Sequence, residues 1–187
     1  GVIRFDGKSI EPALVELMGR GIKHRGDDDQ GFVMLDRQLN LYPYSGDDTI
    51  KELLPGLSHF KSAGNQPFTA GMTHRRFSII DLSAGGHQPF IDESGKYSIT
   101  FNGEIYNYKE LKAELAAKGY QFKTASDTEV ILAGYQYWGA ECFSKLVGMF
   151  AIAIYDKRRH ELVLARDSQG IKPLYYSNTN HSIYFAS

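Results

Sequence analysis

The chain is poor in cysteine, in net charge and in long apolar runs, and each shortage excludes something. A single cysteine, Cys142, among 187 residues rules out an internal disulfide framework. The 21 basic residues are balanced by 22 acidic ones, so the basic excess of a nucleic-acid-binding surface is missing. The longest apolar stretch, Met149–Tyr155, is far too short to cross a membrane and reads as a buried strand. Gly1–Asp6 gives way at once to polar residues, so no signal peptide opens the chain and a cytoplasmic setting is expected. Phosphate-loop, dinucleotide, zinc-protease, paired-cysteine and serine-elbow motifs are all absent. The six histidines show no metal-ligand spacing. The run Asp27-Asp28-Asp29 reads as a solvated loop whose acids cap backbone amides, because cation loops need spaced rather than adjacent ligands.

The length suits one domain, residues 1–187, with a full apolar core. Val2–Phe5, Gly31–Leu35, Gln38–Tyr42, Phe68–Met72, Tyr97–Phe101, Met149–Asp156, Glu161–Arg166, Leu174–Tyr176 and Ser182–Ala186 read as strands. A tight turn at Asp36–Arg37 joins the second to the third. Helical spacing runs from Ile10 to Ile22, with Ser9 as N-cap and Pro12 in the first turn. Ile50, Leu53, Leu54 and Leu57 suggest a second helix. Two capping boxes, Asn107-x-x-Glu110 and Ser126-x-x-Glu129, open helices that stop at Gly119 and near Gly139. Asp81–Gly95 is a long Gly/Pro/Asp-rich loop and so a candidate functional segment. About nine strands and four helices, without regular β-α alternation, predict an α+β fold with mostly antiparallel sheets packed together.

Four segments carry chemistry: His24-Arg25-Gly26-Asp27-Asp28; His74-Arg75-Arg76-Phe77-Ser78-Ile79-Ile80-Asp81-Leu82 with His87-Gln88-Pro89; Phe101-Asn102-Gly103-Glu104-Ile105-Tyr106-Asn107; and Ser126-Asp127-Thr128-Glu129-Val130. Asn102-Gly103 after a β-prone run is by itself a hairpin signal. An asparagine side chain beside a glycine amide also supplies two donors suited to an oxyanion. Arg76 taken alone is a strand-surface arginine; beside a ligand it would bind a carboxylate bidentately. Asp127 in a first helical turn has a dipole explanation, and Glu104 could pair with any cation. Brought together, one guanidinium and two carboxylates complement a zwitterionic amino acid.

In this order the segments resemble the class II glutamine amidotransferase domain of asparagine synthetases, with its H-R-G-P-D, H-x-R-L-S-I-I-D-L, H-Q-P, F-N-G-E-I-Y-N and S-D-x-E-V blocks. Gly148–Asp156 and Leu164–Tyr176 match two later blocks, so the likeness covers the whole chain. It implies an N-terminal-nucleophile fold, a four-layer αββα sandwich of two mostly antiparallel sheets. It implies hydrolysis of glutamine to glutamate and ammonia by an N-terminal cysteine through a thioester. It further implies that Asn102 and the Gly103 amide form the oxyanion hole. Arg76 would bind the substrate carboxylate, Glu104 and Asp127 its ammonium, and the backbone of Phe77–Ile80, with Ile79 and Ile80, would line the pocket. No cofactor or metal is implied for this domain. ATP and magnesium would belong to a synthetase domain, joined in cis or acting in trans as the partner that receives ammonia. Neither nucleic acid nor membrane is an expected partner; monomer and homo-oligomer both stay open.

The sequence departs from the family pattern at three places. Gly1-Val2-Ile3 aligns with the second glycine of the family's Met-Cys-Gly-Ile-x-Gly start, so the nucleophilic cysteine is not among the residues given. Cys142 is expected to be a buried small hydrophobe rather than a substitute. Asp27 replaces a usual proline. The S-G-G-x-D-S loop of a synthetase domain is not within the chain either. Two readings follow: an enzyme domain whose native form carries the cysteine, or an inactive glutamine-binding or structural module derived from one. Keeping every pocket group favours the first.

Overall fold

A computed structural model describes residues 1–77 and 83–187. The strands and α-helices are β1 (Val2–Arg4), α1 (Pro12–Gly21), β2 (Asp29–Asp36), β3 (Leu41–Ser45), β4 (Ser58–His59), β5 (Phe68–Arg76), β6 (Phe90–Ile91), β7 (Tyr97–Ile105), α2 (Tyr108–Ala117), α3 (Asp127–Trp138), α4 (Cys142–Lys145), β8 (Gly148–Asp156), β9 (Glu161–Arg166), β10 (Tyr175–Asn178) and β11 (Ser182–Ala186). The chain divides into two compact units, each holding one sheet. The expected α+β class, with mostly antiparallel sheets, is what the structure has. Among the described residues no helix is long and apolar enough to cross a membrane.

The first unit carries a seven-stranded sheet in the order β10-β11-β1-β5-β2-β3-β4, parallel only between β3 and β4. Its core gathers Val2, Val15, Phe32, Met34, Phe60 and Phe68. Phe32 stacks on Phe60 with ring centroids 4.0 Å apart. Helix α1 lies close to the sheet at Gly71, where a Cβ would press on Val15 and Met34. The second unit carries the sheet β6-β7-β8-β9. Alternating Tyr97, Ile99, Phe101 and Ile105 of β7, with Phe150, Ile152 and Ile154 of β8, form one apolar face. Helices α2 and α3 cover it with Leu111, Leu115, Val130 and Ile131.

Several sequence readings need correction. The expected helix around Ile50–Leu57 is a 3-10 turn, Lys51–Gly56, containing Pro55, which cannot donate to an α-helical ladder. The fourth α-helix is instead the short α4. The turn after β2 is longer than Asp36–Arg37: Leu39 takes φ +63°, Asn40 donates to the Asp36 carboxylate, and β3 starts only at Leu41. Helix α1 is N-capped by Glu11 rather than Ser9, without a side-chain bond. The Asn107 side chain does not cap α2; it bonds the Lys145 carbonyl and the Val147 amide. Ser126 does cap α3, but Glu129 does not close the box and accepts instead from Lys123 and Thr124. The described part of the long loop holds a 3-10 turn, Ala84–Gly86, and β6. Asn102-Gly103 is no hairpin turn but lies within β7.

Candidate active site

The site is built on the register of β7 against β8. The pairing runs unbroken from Tyr97↔Asp156 to Ile105↔Gly148, with Gly103 opposite Phe150. In an antiparallel pair, successive residues turn their N–H and C=O alternately toward and away from the partner. The Tyr106 amide donates to the Val147 carbonyl, which fixes the parity. Phe150 agrees: its amide donates to the Asp167 carboxylate at 3.1 Å and its carbonyl accepts from the Asp167 amide at 2.9 Å. The backbone groups of Gly103 and Ile105 therefore turn away from β8, toward the edge that β6 covers only at Ile99 and Ser98. Among the described strands, only β6 pairs with that edge, and it does so at Ile99 and Ser98.

Ile105 spends its donor on Asp127, whose carboxylate accepts at 3.2 Å. Gly103 directs its own N–H to the same edge. Its φ is +155°, and a Cβ there would run into the Met149 carbonyl oxygen, so only glycine fits. Asn102 and Glu104, two apart, share the face of β7 opposite the helix-covered core, and both are half-buried.

Asp127 opens α3 and is 6 % exposed. Burial pushes its pKa up to about 6, against the amides of Ile105 and Thr128 that hold it down, and the charge of Glu104 adds to the rise. Glu129, two residues on, anchors the approach to this helix. Its carboxylate accepts from the amides of Lys123 at 2.9 Å and Thr124 at 2.7 Å. The structure thus brings together Asn102, Gly103, Glu104 and Asp127.

Arg76 ends β5 in the first unit. It is buried, pairs in register with Asp29, and its carbonyl accepts from the Asp28 amide. Ile79 and Ile80 lie outside the described residues. In the same unit His87 of the H-Q-P block meets the Asp29 carboxylate at 2.7 Å. Asp29 is 1 % exposed, so the third acid of the Asp27–Asp29 run is not solvated as expected; it is buried at the start of β2. Burial raises its pKa, and His87 and the Ile50 and Gln30 amides outweigh that, leaving it below the ordinary carboxylate range. Burial lowers His74, near the same acid, to about 4. Among the described residues no cluster of three His, Cys, Asp or Glu is arranged to hold a metal.

Cys142 lies in the second unit's core, 1 % exposed, and burial pushes its thiol up to about 12. That is the environment of a packed side chain, not of a nucleophile. Sequence reasoning gave Glu129 only a place in a capping box and gave no role to Asp167 or Ser187. Asp167 precedes Gly170, a left-handed position at φ +65°, which is a legible turn signal. Nothing local marked Ser187.

This geometry sits in a fold with known counterparts. The structure matches a glutamine phosphoribosylpyrophosphate amidotransferase from B. subtilis with a TM-score of 0.73, over 97 % of this chain and 40 % of that one, at 22 % identity. The shared fold is thus that of an amidotransferase. A family model described as a glutamine amidotransferase domain matches residues 49–187. Asparagine synthetase [glutamine-hydrolyzing] 1 of Bacillus subtilis (strain 168) is 57 % identical over 117 residues, covering 63 % of this chain and 18 % of the relative. A putative asparagine synthetase [glutamine-hydrolyzing] 2 of Methanocaldococcus jannaschii is 33 % identical, covering 100 % of this chain and 33 % of the relative. The chain belongs to the glutamine amidotransferase domain family, in the class II branch of the glutamine-hydrolysing asparagine synthetases. It spans at most a third of the length of these two curated relatives.

Proposed function

We propose that this domain hydrolyses the side-chain amide of L-glutamine and supplies ammonia to an amide-forming synthetase domain. One observation carries the reading: past the residues that β6 pairs, the Asn102-Gly103-Glu104 run presents an amide turned away from β8 and two side chains on one face, with buried Asp127 beside it. In this reading the Asn102 side chain and the Gly103 N–H receive the oxyanion as the amide carbon becomes tetrahedral. Donors fixed by a strand and a packed helix need no rearrangement as that charge develops. Glu104 and Asp127 take the substrate ammonium, and Arg76 its carboxylate through a planar fork.

The nucleophile is a cysteine at the mature N-terminus. The domain needs no cofactor of its own. ATP and magnesium serve the synthetase partner, aspartate is the leading acceptor, and the setting is cytoplasmic.

N-terminal sequencing and intact mass of the native protein, paired with a glutamate-release assay, test the proposal. A mature N-terminal cysteine with glutamate release is the expected result. No cysteine and no glutamate, with glutamine still bound, would overturn hydrolysis and leave a binding module.

A further inference from the structure

Asn102 is held by a relay. Its Nδ2 donates to the Ser187 hydroxyl at 2.7 Å. That hydroxyl donates to the Pro173 carbonyl at 2.6 Å. A carbonyl only accepts and a hydroxyl has one proton, so the Ser187 proton belongs to Pro173. Toward Asn102 the hydroxyl can then only accept. The amide nitrogen satisfies it; a flipped asparagine would set two acceptors face to face. The neighbours therefore decide which end of the Asn102 carboxamide is which. Ser187 takes one of its two N–H groups and leaves one for a ligand.

Pro173 is itself fixed. The Asp167 carboxylate accepts from the amides of Ile171 at 2.9 Å and Lys172 at 3.0 Å, as well as from Phe150. The Gly170 amide donates to the Asp167 carbonyl at 3.0 Å, with Gly170 in the left-handed region. The segment from Asp167 to Pro173 is thereby tied to β8 at the residue opposite Gly103. Burial raises the Asp167 pKa, but its backbone donors outweigh that and lower it to about 2, so the anchor stays charged at working pH. One strand position, Phe150, thus lies beside both proposed oxyanion donors: it stands opposite Gly103 in the ladder and anchors the loop that orients Asn102.

We infer that Ser187 is a positioning residue for glutamine hydrolysis, holding the Asn102 carboxamide with its nitrogen toward the oxyanion. This rests on the reading of Asn102 as an oxyanion donor. Ser187 transfers no group, since both sides of its hydroxyl are committed. Its loss leaves the carboxamide free to flip, which weakens transition-state binding while leaving glutamine binding intact.

Steady-state glutaminase kinetics on the native protein test this. Ser187→Ala is expected to lower kcat by about 10- to 100-fold, short of the roughly 10²–10³-fold cost of deleting an oxyanion donor outright, with KM within about threefold. Ser187→Thr, which keeps the hydroxyl, is expected to retain most of kcat, while its isostere Ser187→Val is not. That pair keeps the test valid should Ser187→Ala fold poorly. Unchanged kcat in Ser187→Ala or Ser187→Val, a change confined to KM, or Ser187→Thr as slow as Ser187→Val would overturn the inference alone. A wild-type protein without glutaminase activity would overturn the functional reading and this inference with it.

Discussion

Asp167 holds both backbone groups of Phe150, accepting from its amide at 3.1 Å and donating to its carbonyl at 2.9 Å. Because Phe150 faces Gly103 in the ladder, this contact settles where the Gly103 N–H points.

Gly103 is the most constrained position of the run. Gly103→Ala forces a Cβ against the Met149 carbonyl at φ +155°. The expected cost is about 1–3 kcal/mol of stability, together with loss of glutamine hydrolysis. Urea unfolding checks the first part; a change below about 0.5 kcal/mol would mean that β7 shifts without penalty.

Asp127 predicts an opposition between stability and binding. Its folded-state pKa is raised from 3.8 to about 6, so the folded protein holds this proton more tightly than the unfolded chain. Stability from this group is greatest below the unfolded value and is lost as pH rises through about 6. Asp127→Asn keeps an acceptor for the Ile105 amide but removes the buried charge. It should be more stable than wild type at pH 7–8, by up to about 3 kcal/mol, and no more stable below about pH 4. Glutamine affinity should move the other way. In wild type it should fall by up to about tenfold per pH unit below about 6, and Asp127→Asn should bind weakly at every pH. Thermal melts and calorimetry across pH read both arms.

Cys142 should behave as core. With its thiol pushed up to about 12 and its side chain buried, it should resist thiol reagents at pH 8 in the folded protein and react only on unfolding. Rapid labelling of the native state would contradict this packing.

Periodicity made much of the fold legible. β9 and β11 fall at the expected residues, and α3 ends at Gly139, which takes φ +63°. Alternation and left-handed stops are local properties, so the sequence displays them. The ends of β5 and β7 were not legible, because His74, Arg75 and Arg76 in one and Asn102 to Glu104 in the other are polar residues inside strands. Those interruptions are the candidate site itself, where a strand carries chemistry in place of packing. The side chains of Asn107 and Glu129 were misread for another reason. A capping box is a local pattern, and both found non-capping partners, for Asn107 about forty residues away on the chain. Ser187, 85 residues from Asn102, left no sequence trace of its contact.

The central claim is that the pocket groups bind glutamine, and calorimetric titration of L-glutamine into wild type and Arg76→Ala tests it most directly. Saturable binding that weakens by about 1.5–3 kcal/mol in Arg76→Ala, and is not fully restored in Arg76→Lys, is the predicted result. Equal affinity in wild type and Arg76→Ala, or no binding to wild type, would contradict it.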